Sequence, residues 1–187
     1  MKDFRDKNRG AETMTLFIGP QHPGSGHLRL IVDLDGDIIT GIRPDIGWVH
    51  RAVEKIAETK KFVQVIPLVE RPTIIDSANV NLGYVRAVEK LLDIEAPDRA
   101  KYIQTILCEL NRIASHLYGI GIFGNMIGTS TIFMWSFGDR EIPVELMQEL
   151  TGTRLTYSFF LPGGVRRDLP EGFGEKLEKG LRYIENR

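Results

Sequence analysis

Residues 69–92 read VERPTIIDSANVNLGYVRAVEKLL, and residues 98–117 read DRAKYIQTILCELNRIASHL. The first stretch breaks at Glu70-Arg71-Pro72. Pro72 suits the first position of a helix, where its missing N–H would have no helical partner anyway. From there Ile75, Ala78, Leu82, Val85, Val88 and Leu92 recur at helical spacing and form one apolar stripe. In the second stretch Tyr102, Ile106, Leu110, Ile113 and Leu117 form a stripe, widened by Ile103, Leu107 and Ala114. Asp98 near the start of that helix and His116 near its end complement the helix dipole. Gly119 and Gly121 are expected to stop it. Two amphipathic helices in succession decide for a mainly helical core.

On the N-terminal side the period changes to two. Leu28, Leu30, Val32 and Leu34 alternate with Arg29, Ile31 and Asp33, Asp35-Gly36 is a hairpin turn signal, and residues 37–42 read as the returning strand. With the short apolar run at 15–18, this gives a small antiparallel β unit. The expected fold class is therefore α+β, a small N-terminal antiparallel β unit followed by a mainly helical core. Further helices are expected at 47–60, 143–150 and 171–186. Residues 155–160 read as extended, and Pro162-Gly163-Gly164 as a turn. Residues 1–12, with Lys2, Asp3, Arg5, Asp6, Lys7 and Arg9, read as a solvated leader. Residues 13–187 read as one body without a linker rich enough to mark a boundary.

The chain has 187 residues, 42% hydrophobic and 26% charged, with a formal net charge of −1. That balance excludes disorder and gives no global attraction to nucleic acid or anionic lipid. One cysteine, Cys108, excludes a disulfide framework and any cluster held by several thiolates of this chain. The charged start has no apolar signal stretch, and the apolar window at 117–127 is too short to cross a bilayer and is broken by Gly119, Gly121 and Gly124. Membrane association is expected through partner subunits.

Candidate residues fall in four places. His22 and His27 lie in the loop QHPGSGH, where two imidazoles either donate protons to a substrate carbonyl or meet water and backbone. Glu70-Arg71-Pro72 precedes the first helix, whose opening turns carry Asp76, Ser77, Asn79 and Asn81, either as a buried polar site or as a capping turn with one exposed face. Tyr84, two turns after Asp76, is either a hydrogen-bond donor to a quinone-like oxygen or a packed core residue. Arg166-Arg167-Asp168 is either a clamp for an anion or a solvated turn. Cys108 reads as a buried hydrophobe, and Glu109 with Arg112 as a surface pair. No dinucleotide fingerprint, P-loop, nucleophile elbow or zincin motif is present.

The stretches GPQHPGSGHLRL (19–30), VERPTIIDSANVNLGYVRAVEKLL (69–92), ELNRIASHLYGIG (109–121) and LPGGVRRDLP (161–170) together resemble one family. It is the D subunit of NADH-quinone oxidoreductase (complex I), with its relatives, the large subunits of membrane-bound energy-converting nickel–iron hydrogenases. Family chains are much longer, so this chain resembles the N-terminal part of such a subunit. The resemblance implies a nickel–iron hydrogenase large-subunit-like fold and an electron-transfer role. In the hydrogenase relatives an E-R-x-C-G-x-C motif supplies two thiolates to the metal centre, and here Thr73 and Asp76 stand in the cysteine positions. A hydroxyl and a carboxylate are hard ligands and do not replace soft thiolates. The resemblance thus implies no metal centre and no cofactor bound in this chain. It implies an iron–sulfur cluster in a partner subunit, membrane-arm subunits, and a quinone as acceptor, with the chain peripheral on the cytoplasmic side of the membrane.

Carried over residue by residue, the resemblance gives Tyr84, with His22 or His27, the role of hydrogen-bonding and protonating the acceptor. Arg71, Thr73 and Asp76 would line its cavity. The family loop H-P-x-x-H-G-V-L-R-L is here HPGSGHLRL, one residue shorter, so His22 matches the first histidine and His27 is displaced. The aspartate that supports the quinone-binding histidine falls at Met126 by count from His116. These departures leave two alternatives beside quinone reduction. One is a sulfur-, polysulfide- or cofactor F420-linked relative of the same complexes, and the other is a non-catalytic paralogue that docks partner subunits.

Overall fold

The computed structural model describes residues 13–21 and 27–187. The chain divides into two compact units, one up to Arg51 and one from Ala52 to Arg187. No Pro/Gly-rich linker marks the division. It falls where Ala52 takes a left-handed backbone (φ 51°) just before a helix starts.

The first unit is a three-stranded antiparallel meander of β1 (Thr13–Ile18), β2 (Arg29–Asp35) and β3 (Ile38–Asp45), in the order β1-β2-β3. Asp35 pairs with Ile38 across the Asp-Gly turn, and Gly36 takes φ +58°, as a tight hairpin requires. Leu16, Val32 and Ile42 lie in one cross-strand row, and Val32 is the buried member. A bulge between Asp33 and Leu34 shifts the register near the turn. On the other face Arg29 donates to Asp45 at 2.9 Å and lies over the rings of Phe17 and Trp48.

The second unit is built from α1 (Val53–Ala57), α2 (Phe62–Glu70), a 3-10 segment (Arg71–Asp76), α3 (Ser77–Leu92), α4 (Asp98–Met126), α5 (Ser130–Thr151), a two-residue hairpin of β4 (Phe160–Leu161) and β5 (Gly164–Val165), and α6 (Phe173–Glu185). Its core joins Ile66 of α2, Val85 of α3, Leu107 and Leu110 of α4, Met147 and Leu150 of α5, and the ring pair Phe159 and Phe160. The expected α+β class, with a small β unit and then a mainly helical core, is what the chain adopts.

Several elements differ from expectation. The helix expected over 47–60 shrinks to the five residues of α1, because Gly47 (φ +108°) and Ala52 hold backbone conformations no helix contains. Gly119 and Gly121 do not stop α4, which runs on to Met126. They are not terminators because α5 packs against the same stretch. A Cβ at Gly121 would lie 3.0 Å from the Phe137 ring, and one at Gly124 would lie 2.7 Å from Ile132. Close helix approach, not helix ending, accounts for these two glycines. The short helix expected at 143–150 is the second half of α5, which continues through Pro143. The buried face of α4 is rotated from the expected stripe: Tyr102 is 74% exposed, and the buried positions are Ile103, Gln104, Leu107, Cys108, Leu110, Asn111 and Ala114. Residues 155–160 are extended only at Phe160, since Thr156 and Ser158 take positive φ.

Candidate functional site

The Arg71–Asp76 segment is the joint between α2 and α3. Its backbone kinks at Thr73 (φ −122°, ψ 65°), and Arg71, Pro72, Thr73 and Ile74 are exposed. Asn111 of α4 holds the joint in place. Its Oδ1 accepts the Ala78 N–H at 3.0 Å and its Nδ2 donates to the Ile75 carbonyl at 2.8 Å. One side chain thereby satisfies a free N–H at the start of α3 and a free carbonyl at the end of the joint. Asp76 is half-buried and accepts from Asn79 Nδ2 at 2.5 Å; the same nitrogen reaches the Cys108 carbonyl at 3.4 Å. Burial, then the Asp76 and Glu109 carboxylates, push the Cys108 thiol up to about 12, against a smaller pull from Arg112. The cysteine nearest the joint is therefore a buried neutral thiol and not a thiolate. Glu109 and Arg112 pair at 3.0 Å, as their spacing suggests.

Tyr84 faces another neighbour. Its phenol donates to the Phe62 carbonyl at 3.0 Å, tying α3 to the start of α2. The side chain packs against the core edge, and burial pushes its pKa up. Thr73 and Asp76 thus share the joint, with Asp76 turned to α4, whereas Tyr84 is turned to α2. His27 is exposed at the start of the β2 hairpin in the first unit, and His22 lies outside the described residues. Arg166, Arg167 and Asp168 are engaged within the fold. Arg166 donates to the Ser158 carbonyl, Arg167 to the Thr151 carbonyl at the end of α5, and Arg99 to Asp168 at 2.8 Å. Among the described residues, no group of three or more His, Cys, Asp or Glu side chains is placed to hold a metal ion.

The residue that sequence reasoning missed is Glu70. It is fully buried. Its carboxylate accepts from Asn81 Nδ2 at 2.7 Å, from the Ser158 backbone N–H at 2.7 Å and from Ser158 Oγ at 2.9 Å. Desolvation outweighs these bonds and the Arg166 charge, so its pKa is raised above the ordinary 4.5. Only the position of Glu70 just before Arg71-Pro72 hinted at it. Its burial comes from the 155–160 segment, whose positive-φ residues aim a backbone N–H inward. Glu89 plays a parallel part: buried, it accepts the Gly163 N–H at 3.0 Å, while Gln104 donates to the Gly164 carbonyl at 3.1 Å. These two bonds seat the Gly163-Gly164 hairpin on α3 and α4, at a site where a Cβ on Gly164 (φ +152°) would touch Ala100.

The fold as a whole, set beside known chains, resembles one class of protein. The family of the respiratory-chain NADH dehydrogenase 49 kDa subunit matches residues 126–187. The NADH-quinone oxidoreductase D subunit of Carboxydothermus hydrogenoformans is 44% identical over 174 residues, covering 92% of this chain and 48% of that protein. Its counterpart in Citrifermentans bemidjiense is 45% identical over 172 residues, covering 91% and 44%. Among solved structures, a chain of the membrane-bound sulfane sulfur reductase, an archaeal respiratory membrane complex, superposes with a TM-score of 0.90 at 30% identity, covering 93% of this chain and 47% of that one. The chain is thus similar to the D subunit of NADH-quinone oxidoreductase along nearly its whole length, and it spans about half the length of the curated relatives it matches. Among the described residues no helix is long and apolar enough to cross a membrane.

Proposed function

We propose that this chain forms part of the site at which a complex-I-like membrane oxidoreductase reduces a quinone-type acceptor. Electrons would come from an iron–sulfur cluster in a partner subunit. The reaction adds two electrons and two protons to the quinone and gives the quinol. NADH, the ultimate donor in this reading, is oxidised by other subunits. What supports it is the joint: by the family resemblance Thr73 and Asp76, a hydroxyl and a carboxylate, take the positions of two hydrogenase thiolates, and the structure sets both on one kinked segment beside a Cys108 thiol held neutral. Such a site has lost soft-metal ligands and kept an exposed polar segment for a reducible molecule.

In this reading Arg71, Thr73 and Asp76 line the acceptor cavity, and Asp76 answers electrostatically to its reduction. Tyr84 exchanges its bond to Phe62 for one to the acceptor. The chain works peripherally, on the cytoplasmic side, docked between the iron–sulfur subunit and the membrane arm. Ile120, Phe123, Met134 and Trp135 on α4 and α5 are each more than half exposed, as surfaces awaiting a cover are.

A second reading has a sulfane-sulfur or polysulfide acceptor in the same place. The similarity to the sulfane sulfur reductase chain and the shortened HPGSGH loop favour it. Turnover of the assembled complex with a quinone and with polysulfide separates the two. Quinone reduction is expected, with a loss in Tyr84→Phe. A wild-type complex that reduces polysulfide alone contradicts the quinone reading, and unchanged turnover in Tyr84→Phe returns that phenol to the α2–α3 tie alone.

A further inference from the structure

Glu70 is a carboxylic acid with no exposed surface in a unit whose other acids mostly reach solvent. Next to it on α3 are two buried polar atoms without a partner among the described residues, Asn81 Oδ1 and Ser77 Oγ. Ser77 and Asn81 are 0% and 1% exposed and stand one helical turn apart, so their side chains project from the same face. Ser77 directly follows Asp76, the half-buried acid of the joint. Asn81, Glu70 and Ser158 form one hydrogen-bonded chain, and Ser77 stands one turn before Asn81, at the end of α3 that adjoins the joint.

Asn81 has a further property. Its Nδ2 donates to Glu70 Oε1 at 2.7 Å, which suits a carboxylate. Turned about its last torsion, the same amide would present Oδ1 to Glu70, which suits a carboxylic acid that donates its own proton. Ser158 serves either state, since its backbone N–H bonds one carboxyl oxygen and its hydroxyl both donates and accepts. The pocket thus provides one hydrogen-bond arrangement for the charged acid and another for the neutral one. Two orphaned polar atoms one turn apart are the setting in which a buried water commonly bridges. The charged and titratable groups that face this acid are Arg166 and Tyr157, and Tyr157 in turn senses Arg140 and Asp76.

We propose that Glu70 is a proton-relay residue, which takes up and releases one proton through a water held by Asn81 Oδ1 and Ser77 Oγ, on the side of α3 that adjoins the joint. Only an O–H bond is made and broken. The proton is one of those the acceptor consumes, and in that respect the inference rests on the proposed reductase reading. Holding the proton does not rest on it.

The test uses the assembled complex. In infrared spectra recorded against pH, the wild type minus Glu70→Gln difference should show one carboxyl that titrates above the ordinary carboxylate range. Its C=O band should shift promptly on transfer to heavy water. Ser77→Ala removes only a hydroxyl without a partner, so it should fold; it should slow that shift severalfold. Glu70→Gln should lower turnover about tenfold or more and abolish the matching limb of the pH–rate profile, with Glu70→Asp restoring part of it. A Glu70 carboxyl that titrates with the surface acids, an exchange rate unchanged in Ser77→Ala, or a pH–rate profile unchanged in Glu70→Gln each overturns the relay. A wild-type complex that reduces neither quinone nor polysulfide while the band titrates and exchanges as described contradicts the reductase reading and leaves the relay standing.

Discussion

Asn111 accepts the Ala78 N–H at 3.0 Å, a bond between residues 33 positions apart that locks the start of α3 to the middle of α4. The same amide holds Ile75, so the kinked segment with Thr73 and Asp76 has one fixed position on the helix hairpin. Both groups that Asn111 satisfies lie at an element end, where the helix itself supplies no partner. The joint is therefore a preorganised surface, which a site for a reacting molecule needs.

The α4–α5 contact makes two glycines behave oppositely. Gly124→Ala puts a methyl group 2.7 Å from Ile132, while at Gly119 nothing lies within 4 Å. Gly124→Ala should destabilise the chain by about 1–3 kcal/mol through overpacking. Gly119→Ala should be neutral or stabilise it by up to about 1 kcal/mol through helix propensity. Thermal unfolding of the two variants checks this, and equal melting temperatures would contradict the packing described.

Burial, with Asp76 and Glu109 nearby, pushes the Cys108 thiol up to about 12. At pH 8 about one molecule in ten thousand then carries the thiolate. Alkylation of the native chain should be slower than in denaturant by several orders of magnitude. Comparable rates in the two states would show that Cys108 is not enclosed as described.

Stability should depend on pH through Glu70. Its folded pKa is raised above the ordinary 4.5, so the neutral acid is the form that folding prefers. Below 4.5 the group is neutral folded and unfolded, and it costs nothing there. As pH rises from that value through the raised folded pKa, the unfolded chain releases the proton first and stability falls. Above the folded pKa the loss is complete. The difference in unfolding free energy between wild type and Glu70→Gln should decline over that window and then level off. A constant difference would contradict it.

Much of this was legible in the sequence because it rests on local pattern. The β2 alternation and Asp35-Gly36 specify the hairpin, and the stripe through Ala78, Val85 and Val88 specifies α3. What escaped was long-range. Gly121 and Pro143 look like helix ends in one dimension and are helix interior because α4 and α5 lean on each other. Residue types marked Asp76 and the family resemblance marked Thr73, but nothing local shows that Asn111, 35 positions from Asp76, fixes their joint. Glu70 was invisible as a buried acid because its burial depends on Ser158, 88 positions away, in a segment without regular structure.

The charge at Asp76 is the feature on which the proposed reduction of an acceptor at the joint depends most directly. Asp76→Asn keeps the shape of the side chain and an oxygen for the Asn79 bond, so only the charge beside the joint is lost. The measurement is quinone reduction by the assembled complex carrying this one substitution, with electrons fed through the iron–sulfur partner. Turnover should fall about tenfold or more with the complex still fully assembled. Turnover equal to that of the wild type would mean that the joint does not face the reacting molecule.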